Sequence, residues 1–409
     1  MMKRHLQRSM RAAGFTLVEI LIGLLIGLIG IVVIMQTFAV SEGYKRTATT
    51  GSDAQVNGGM ALYLIEREVR LAGYGLNQLM SNGCQSVVAY NSATGTSSAM
   101  RFVPFEINPA GVPAGDANTD VILVSYGIAD DFVTGIPADQ PVGGQAGDYV
   151  VSGNWDAFRA GDVVVAYQPG SACVMGDITG VNAAAGNCGG ASGSPQANLL
   201  KHGTSSFQNS YNACANATPV HNASGGVRDA SGTPVPALSQ SAGGLLYNLG
   251  GLPAVKVFAV HGGNLTTCNM MTQDCSNVAN YTTLVTGIVS LRAVYGQDTD
   301  VPIDGRINLW TRNALASSAN VMSTLAVALE VTAKSTLKEK PSSGTTCDTT
   351  TNAARPDKTQ DWFGPALISD STSAGAQIDL STSAADWQCY RYKLFQTSVP
   401  LRNMIWSPS

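Results

Sequence analysis

Three groups of residues in this chain have types and spacing that could do chemistry. The first is one carboxylate, Glu19, set in an otherwise apolar run from Phe15 to Val40. An ionised group at the middle of a membrane helix costs about 2.5–3.5 kcal/mol on insertion scales. Glu19 therefore sits at a bilayer edge or is neutralised by a cation. The second group is eight cysteines: Cys84, Cys173, Cys188, Cys214, Cys268, Cys275, Cys347 and Cys389. None forms C-x-x-C, and His202, His221 and His261 add no ligand-like spacing, so the pattern speaks for disulfides rather than zinc. The third group is Asp298, Asp300 and Asp304, an acidic segment beside Gly305. Calcium takes six to eight oxygens, and an EF-hand needs tighter spacing with a distal Glu. A solvated turn is the default reading, with a calcium site as its alternative. Enzyme signatures are missing: there is no G-x-S-x-G, H-E-x-x-H or G-x-x-x-x-G-K-[ST]. The sequence carries no candidate catalytic residue and implies no cofactor.

Composition narrows the class. Of 409 residues only 13% are charged and 7% aromatic, while glycine numbers 44. Average proteins carry about 25% charged residues, so this is the profile of a loop-rich β protein with an uncharged polar surface. The net charge is −4, but Lys3, Arg4, Arg8 and Arg11 all precede the apolar run, leaving 20 basic against 28 acidic residues beyond it, or −8. That balance argues against nucleic acid. All the cysteines follow the apolar run, and their even number predicts disulfides in an oxidising compartment. Eight cysteines allow 105 connectivities. Loop-closure entropy favours short spans, which predicts Cys268–Cys275, Cys173–Cys188 and Cys347–Cys389 and leaves Cys84–Cys214.

The element that must position Glu19 is a helix. From Ile20 to Ser41 there are 22 uncharged residues, longer than the apolar region of a secretory signal, about 7–15. As a helix they rise about 33 Å, enough to span a bilayer core. The basic cluster before them would stay in the cytoplasm. A cleaved secretory signal, with Ala39-Val40-Ser41 as a loose cleavage site, and a simple membrane anchor both leave Glu19 unexplained. Gly23, Gly27 and Gly30 share one face and let helices approach closely. After Glu42, Val56, Met60, Leu64, Ile65, Val69 and Ala72 follow i, i+3 and i+4 steps, and Gly58-Gly59 weakens the helix by about 1 kcal/mol per residue. Gly73 and Gly75 supply its C-terminal caps.

Gly14-Phe15-Thr16-Leu17-Val18-Glu19, after a short basic leader and before a long apolar helix, resembles the class III signal of type IV pilins and type II secretion pseudopilins. The resemblance implies cleavage by prepilin peptidase between Gly14 and Phe15 and N-methylation of Phe15. Glu19, fifth in the mature chain, then pairs with the N-terminal amine of a neighbouring subunit. A buried pair is tolerable where either charge alone is not, and the mismatch penalty sets register. No proline occurs before Pro104, a departure from many major pilins, which carry a helix-bending proline here.

Beyond the helix the chain reads as short strands. Residues 120–126, 162–167, 254–260, 284–295, 324–332 and 389–395 are apolar or alternating runs rich in β-branched and aromatic residues. Residues 171–250, rich in Gly, Ala, Ser and Asn, read as a decorated insertion without a strong core. Trp155, Trp310, Trp362, Trp387 and Trp406 read as core or interface residues. LIEREVRLAGYGL (64–76), TDVILVSYG (119–127), GDVVVAYQ (161–168), IVSLRAVYGQDTD (288–300) and LFQTSVPLRN (394–403) are similar, in this order, to segments of the PilW family of minor pilins. PilW-type sequences often place a cysteine directly after the AGY element; here Cys84 comes later, which leaves its partner open. The expected fold is α+β and pilin-like. A leader spans 1–14, and a helix spans 15–72 with its transmembrane, filament-core half at 15–41. A β-rich extracytoplasmic head of mainly antiparallel strands follows at 73–409. A head of roughly 335 residues has a radius of gyration near 20 Å, hard to repeat in a tight shaft and easier to place at a tip. The resemblance implies a low-copy subunit that joins other minor pilins and the major pilin, primes assembly on the inner-membrane platform, and presents a PilY-type adhesin. A membrane-anchored extracytoplasmic binding module and a type II secretion minor pseudopilin are the alternatives, with an anchored hydrolase behind them.

Overall fold

The computed structural model describes residues 14–130, 134–139, 148–153, 155–181, 198–223, 235, 237–339, 341, 345–355 and 361–405. Most of the leader, Cys188 and Trp406 lie outside them, as do 182–197 and 224–234 of the insertion. The chain divides into two units, residues 1–52 and 53–409, and one helix, Leu17–Leu71, contributes to both.

In the first unit the helix is long and apolar enough from Leu17 to Gly43 to cross a membrane. Every large apolar side chain from Leu17 to Val40 is exposed. A helix that is apolar all round has no polar face to give to water, so this segment needs a non-aqueous surrounding.

In the second unit the helix turns one-sided. Ala54, Gly58, Ala61, Ile65, Val69 and Ala72 are buried at steps of four and three residues. The expected stripe is corrected at its N-terminal end: Val56 is 63% and Met60 54% exposed. The buried stripe runs over smaller residues because the sheet beneath comes very close. A Cβ on Gly58 would lie 2.2 Å from the Phe395 ring and 3.0 Å from Ala333 Cβ. The glycine that weakens the helix as an isolated element is thus required by its packing. The helix ends as expected at Gly73, whose φ is +79° and whose N–H donates to Ser125 O at 2.9 Å. Asn403 Nδ2 donates to the orphan carbonyls of Leu71 and Ala72, at 3.2 and 3.1 Å.

Among the described residues the strands form sheets of nine, five, four and two strands. All neighbours are antiparallel except Ser86–Asn91 beside Cys173–Asp177, so the α+β reading with a mainly antiparallel head stands. The five-stranded sheet runs from edge strand Thr282–Thr286 through Asn264–Asn269, Ala254–His261 and Ile122–Tyr126 to Phe105–Ile107. The four-stranded sheet runs Leu309–Thr311, Ile288–Gln297, Thr324–Lys334, Tyr392–Pro400. The run expected over 284–295 is two strands in two sheets. Gly287, with φ +75°, breaks it, a conformation that other residues rarely adopt. The last strand starts at Tyr392 rather than Cys389, which instead ends a short 3-10 turn, Trp387–Cys389.

The largest core joins the second half of the helix to the five- and four-stranded sheets. A second core fills the nine-stranded sheet with Phe158, Val164, Ile178, Leu200, Leu238 and Leu246. This corrects the expectation for 171–250: the insertion supplies strands Cys173–Asp177, Leu199–Lys201 and Leu245–Gly250 and part of that core. Trp362 is buried on the outer side of the four-stranded sheet, with Trp310 and Trp387 packed beside it.

Cys268–Cys275 and Cys347–Cys389 are bonded as expected. Cys84 pairs with Cys173, which overturns both Cys84–Cys214 and Cys173–Cys188. The parallel ladder that sets Val87 opposite Cys173 brings Cys84 alongside. Closure entropy grows only logarithmically with loop length, so strand pairing outweighs the preference for short spans. Cys214 is also disulfide-bonded.

Candidate functional site

At the start of the helix, Thr16 and Glu19 hold each other. Glu19 N–H donates to Thr16 Oγ1 at 3.3 Å, and Thr16 N–H and Oγ1–H donate to Glu19 Oε2 at 3.3 and 3.2 Å. This is a capping box: Thr16 precedes the first helical residue, Leu17, and Glu19 is the third. The arrangement satisfies two otherwise unpaired N–H groups and sets a negative charge at the positive end of the helix dipole. The signal was present in the sequence as Thr-x-x-Glu. Glu19 therefore has a local partner in this chain as well as the capacity to accept from a neighbour's ammonium. Phe15, just outside the helix, is 82% exposed.

In the head, segments far apart in the chain contact one another through buried charge. Glu68, on the helix, is 3% exposed. It accepts from Tyr126 Oη at 2.6 Å, Lys256 Nζ at 2.8 Å and Arg67 Nη2 at 2.8 Å. Burial opposes its ionisation, but these three donors together hold its carboxyl below the usual range. The same burial and the adjacent carboxylate push the Tyr126 phenol up. A second network centres on Asp120, 1% exposed. Arg312 grips it with Nη1 and Nη2 at 2.6 and 2.7 Å, and Arg292 Nη1 lies at 3.2 Å. Glu330 stands opposite Arg292 in the strand register and accepts from the Ser290 and Thr332 hydroxyls. Desolvation pushes its carboxyl up to about 7. Arg292, on the strand Ile288–Gln297, and Arg312, just after Leu309–Thr311, both hold Asp120, which leads into the five-stranded sheet, and so make a buried joint between the two sheets.

The acidic segment is an ordered loop. Carboxylate oxygens of Asp298, Asp300 and Asp304 lie within 4.8 Å of one another. Asp298 accepts from the backbone N–H groups of Asp300, Asp304 and Gly305 at 3.1, 2.9 and 2.6 Å. Its oxygens are committed to shaping the turn, and three carboxylates fall short of a full calcium shell.

Two histidines set aside for their spacing come together in space. His202 and His221 line one small cavity of the nine-stranded sheet. His202 stacks on Tyr149 at 4.1 Å between ring centres. His221 Nδ1 is 2.7 Å from Asp177 Oδ1, an orientation that aims Nε2 away from the carboxylate. No linear pattern could have announced this, because the three residues lie on separate strands and loops.

No protein family, no curated protein and no solved structure matches this chain.

Proposed function

We propose that this protein is a minor pilin of the PilW type, anchored in the bacterial inner membrane with its head outside the cytoplasm and then incorporated at low copy in the tip or priming complex of a type IV pilus. The observation that carries this reading is the junction Gly14-Phe15-Thr16-Leu17-Val18-Glu19 at the start of a helix long and apolar enough to span a membrane. A bilayer anchor alone has no use for that junction. The disulfides support an extracytoplasmic head. The buried contacts Glu68–Tyr126 and Asp120–Arg292 support reading the separate PilW-like segments as parts of one module. In this role the protein acts by assembly, without catalysis or cofactor. It is processed by prepilin peptidase, is built in on the inner-membrane platform beside other minor pilins and the major pilin, and helps to present a PilY-type tip adhesin.

Mass spectrometry of the mature N-terminus tests the proposal. The expected terminus is N-methylated Phe15, and Gly14→Val should leave the precursor uncut, since the peptidase must accept a residue without a bulky side chain. A mature chain starting after Ser41, or one keeping its leader, would favour the second reading, a membrane-anchored extracytoplasmic binding module. Co-purification with secretion components rather than pilins would assign it instead as a type II secretion minor pseudopilin.

A further inference from the structure

Four of the five residues in the edge strand Thr282–Thr286 are exposed, and among the described residues it pairs on one side only, with Asn264–Asn269. An open edge is a row of unpaired N–H and C=O groups that invites another strand, and proteins commonly blunt it with charge, proline, short length or cover. Another long edge, Tyr392–Pro400, carries Lys393 and Pro400 and is tied by Gln396 to Phe363 N and Asp361 O, and the six-residue edge Thr96–Arg101 carries Arg101. The Leu309–Thr311 edge is three residues long. Thr282–Thr286 has neither charge nor proline, and four of its residues are β-branched. Asn57 Nδ2 on the helix donates to Thr286 O at 3.1 Å, which closes one end and leaves Thr282–Val285 open among the described residues.

Beside this edge lies a groove of about 160 Å³ between the helix and the sheet face. Leu64, Phe258 and Leu284 give it apolar walls, and Leu284 is the extra residue of a β-bulge, a device that re-aims a side chain. Thr267 Oγ1, on the groove wall, is buried without a hydrogen-bond partner among the described residues. Arg67 and Lys256 also line the groove and share the single carboxylate of Glu68, so the groove holds an excess of one positive charge.

We propose that the open edge Thr282–Val285 and its groove form a docking site for an extended segment of a partner protein, which adds as a sixth strand, places an apolar side chain against Leu64 and Leu284, and brings a carboxylate to Arg67 and Lys256. Main-chain pairing supplies affinity in such strand addition, and pockets for alternate side chains supply specificity. Charge complementarity selects an acidic segment over a basic one. This inference goes beyond the pilin reading and does not depend on how the N-terminus is processed.

The test is selection of a random dodecapeptide phage library on the full-length protein in detergent micelles. The expected winners alternate β-branched residues with an Asp or Glu and slow amide hydrogen exchange at Thr282–Val285. Leu284→Lys, at a position 36% exposed, and separately Arg67→Glu should each weaken their binding by roughly tenfold or more. Arg67→Glu should also lose the preference for acidic over neutral peptides. Thr96→Lys, on the outer strand of the nine-stranded sheet, should leave binding unchanged. Failure to enrich any sequence, winners unaffected by both groove variants, or winners that protect other amides would overturn the proposal. Sedimentation showing that the same edge pairs two copies of this chain would overturn it in favour of self-association.

Discussion

Glu19 has two possible employers, its own helix and a neighbouring subunit, and two substitutions separate them. Glutamine serves in a capping box as well as glutamate does, but it carries no charge. Glu19→Ala removes both roles, and Glu19→Gln removes only the ionic one. Under the assembly reading both variants insert and are cleaved, and both then fail to co-purify with partner pilins, because an unpaired buried ammonium costs about 3–5 kcal/mol. If Glu19→Gln assembles like wild type while Glu19→Ala does not, the carboxylate serves the helix alone. Glu330 makes a different prediction, about pH. Its carboxyl titrates near 7 in the folded protein against an ordinary value of 4.5, so the native state keeps a proton that the unfolded chain has released. The stability it contributes is complete below about pH 4.5 and is lost as pH rises through 7. Glu330→Gln keeps the neutral form at every pH. The variant's urea midpoint, measured in detergent, should match wild type near pH 4.5 and exceed it at pH 8. An equal difference at both pH values would contradict this account.

At the scale of elements, Gly58 shows packing overruling helix propensity. In an isolated helix Gly58→Ala would gain about 1 kcal/mol. Here the new methyl meets the Phe395 ring and Ala333, and overpacking of a close-packed site costs about 1–3 kcal/mol. Gly58→Ala should therefore lower the thermal midpoint of the full chain, and Phe395→Leu in the same background should restore part of the loss. Gly59→Ala, whose Cβ would approach the same ring no closer than 3.8 Å, should be neutral or stabilising. The two neighbouring glycines look alike in sequence and are distinguished only by which one faces the strand Tyr392–Pro400.

For the whole molecule, the disulfides tie segments that are far apart in the chain. Cys84–Cys173 spans 89 residues, while Cys268–Cys275 spans 7. Removing a disulfide from a small secreted domain costs about 2–5 kcal/mol, and the chain-entropy term grows with the loop closed. Cys84→Ser with Cys173→Ser should destabilise more than Cys268→Ser with Cys275→Ser, as read by urea midpoints in matched detergent. Thiol titration of the unfolded, unreduced protein should find none of the bonded cysteines free, and diagonal peptide mapping should recover Cys84 with Cys173. A map joining Cys84 to Cys214 would refute the parallel pairing of Ser86–Asn91 with Cys173–Asp177.

The long helix, its membrane-competent half and the β-rich character of the head were legible from sequence, because apolar run length and two-residue alternation are local properties of the chain. The Thr16–Glu19 cap is equally local, written in the chain as Thr-x-x-Glu. The near disulfides Cys268–Cys275 and Cys347–Cys389 followed from loop entropy. Cys84–Cys173 did not, because a parallel strand pair joins residues that no short span would connect. The break at Gly287, the small-residue stripe under the helix and the core of the insertion were settled by which sheet each segment joins. The meeting of Glu68 with Lys256 and Tyr126, of Asp120 with Arg292 and Arg312, and of His221 with Asp177 belongs to the tertiary structure alone. Polar pairing across 44 to 192 residues leaves no periodicity in the chain; it exists only once the sheets bring those side chains out of water and into each other's reach.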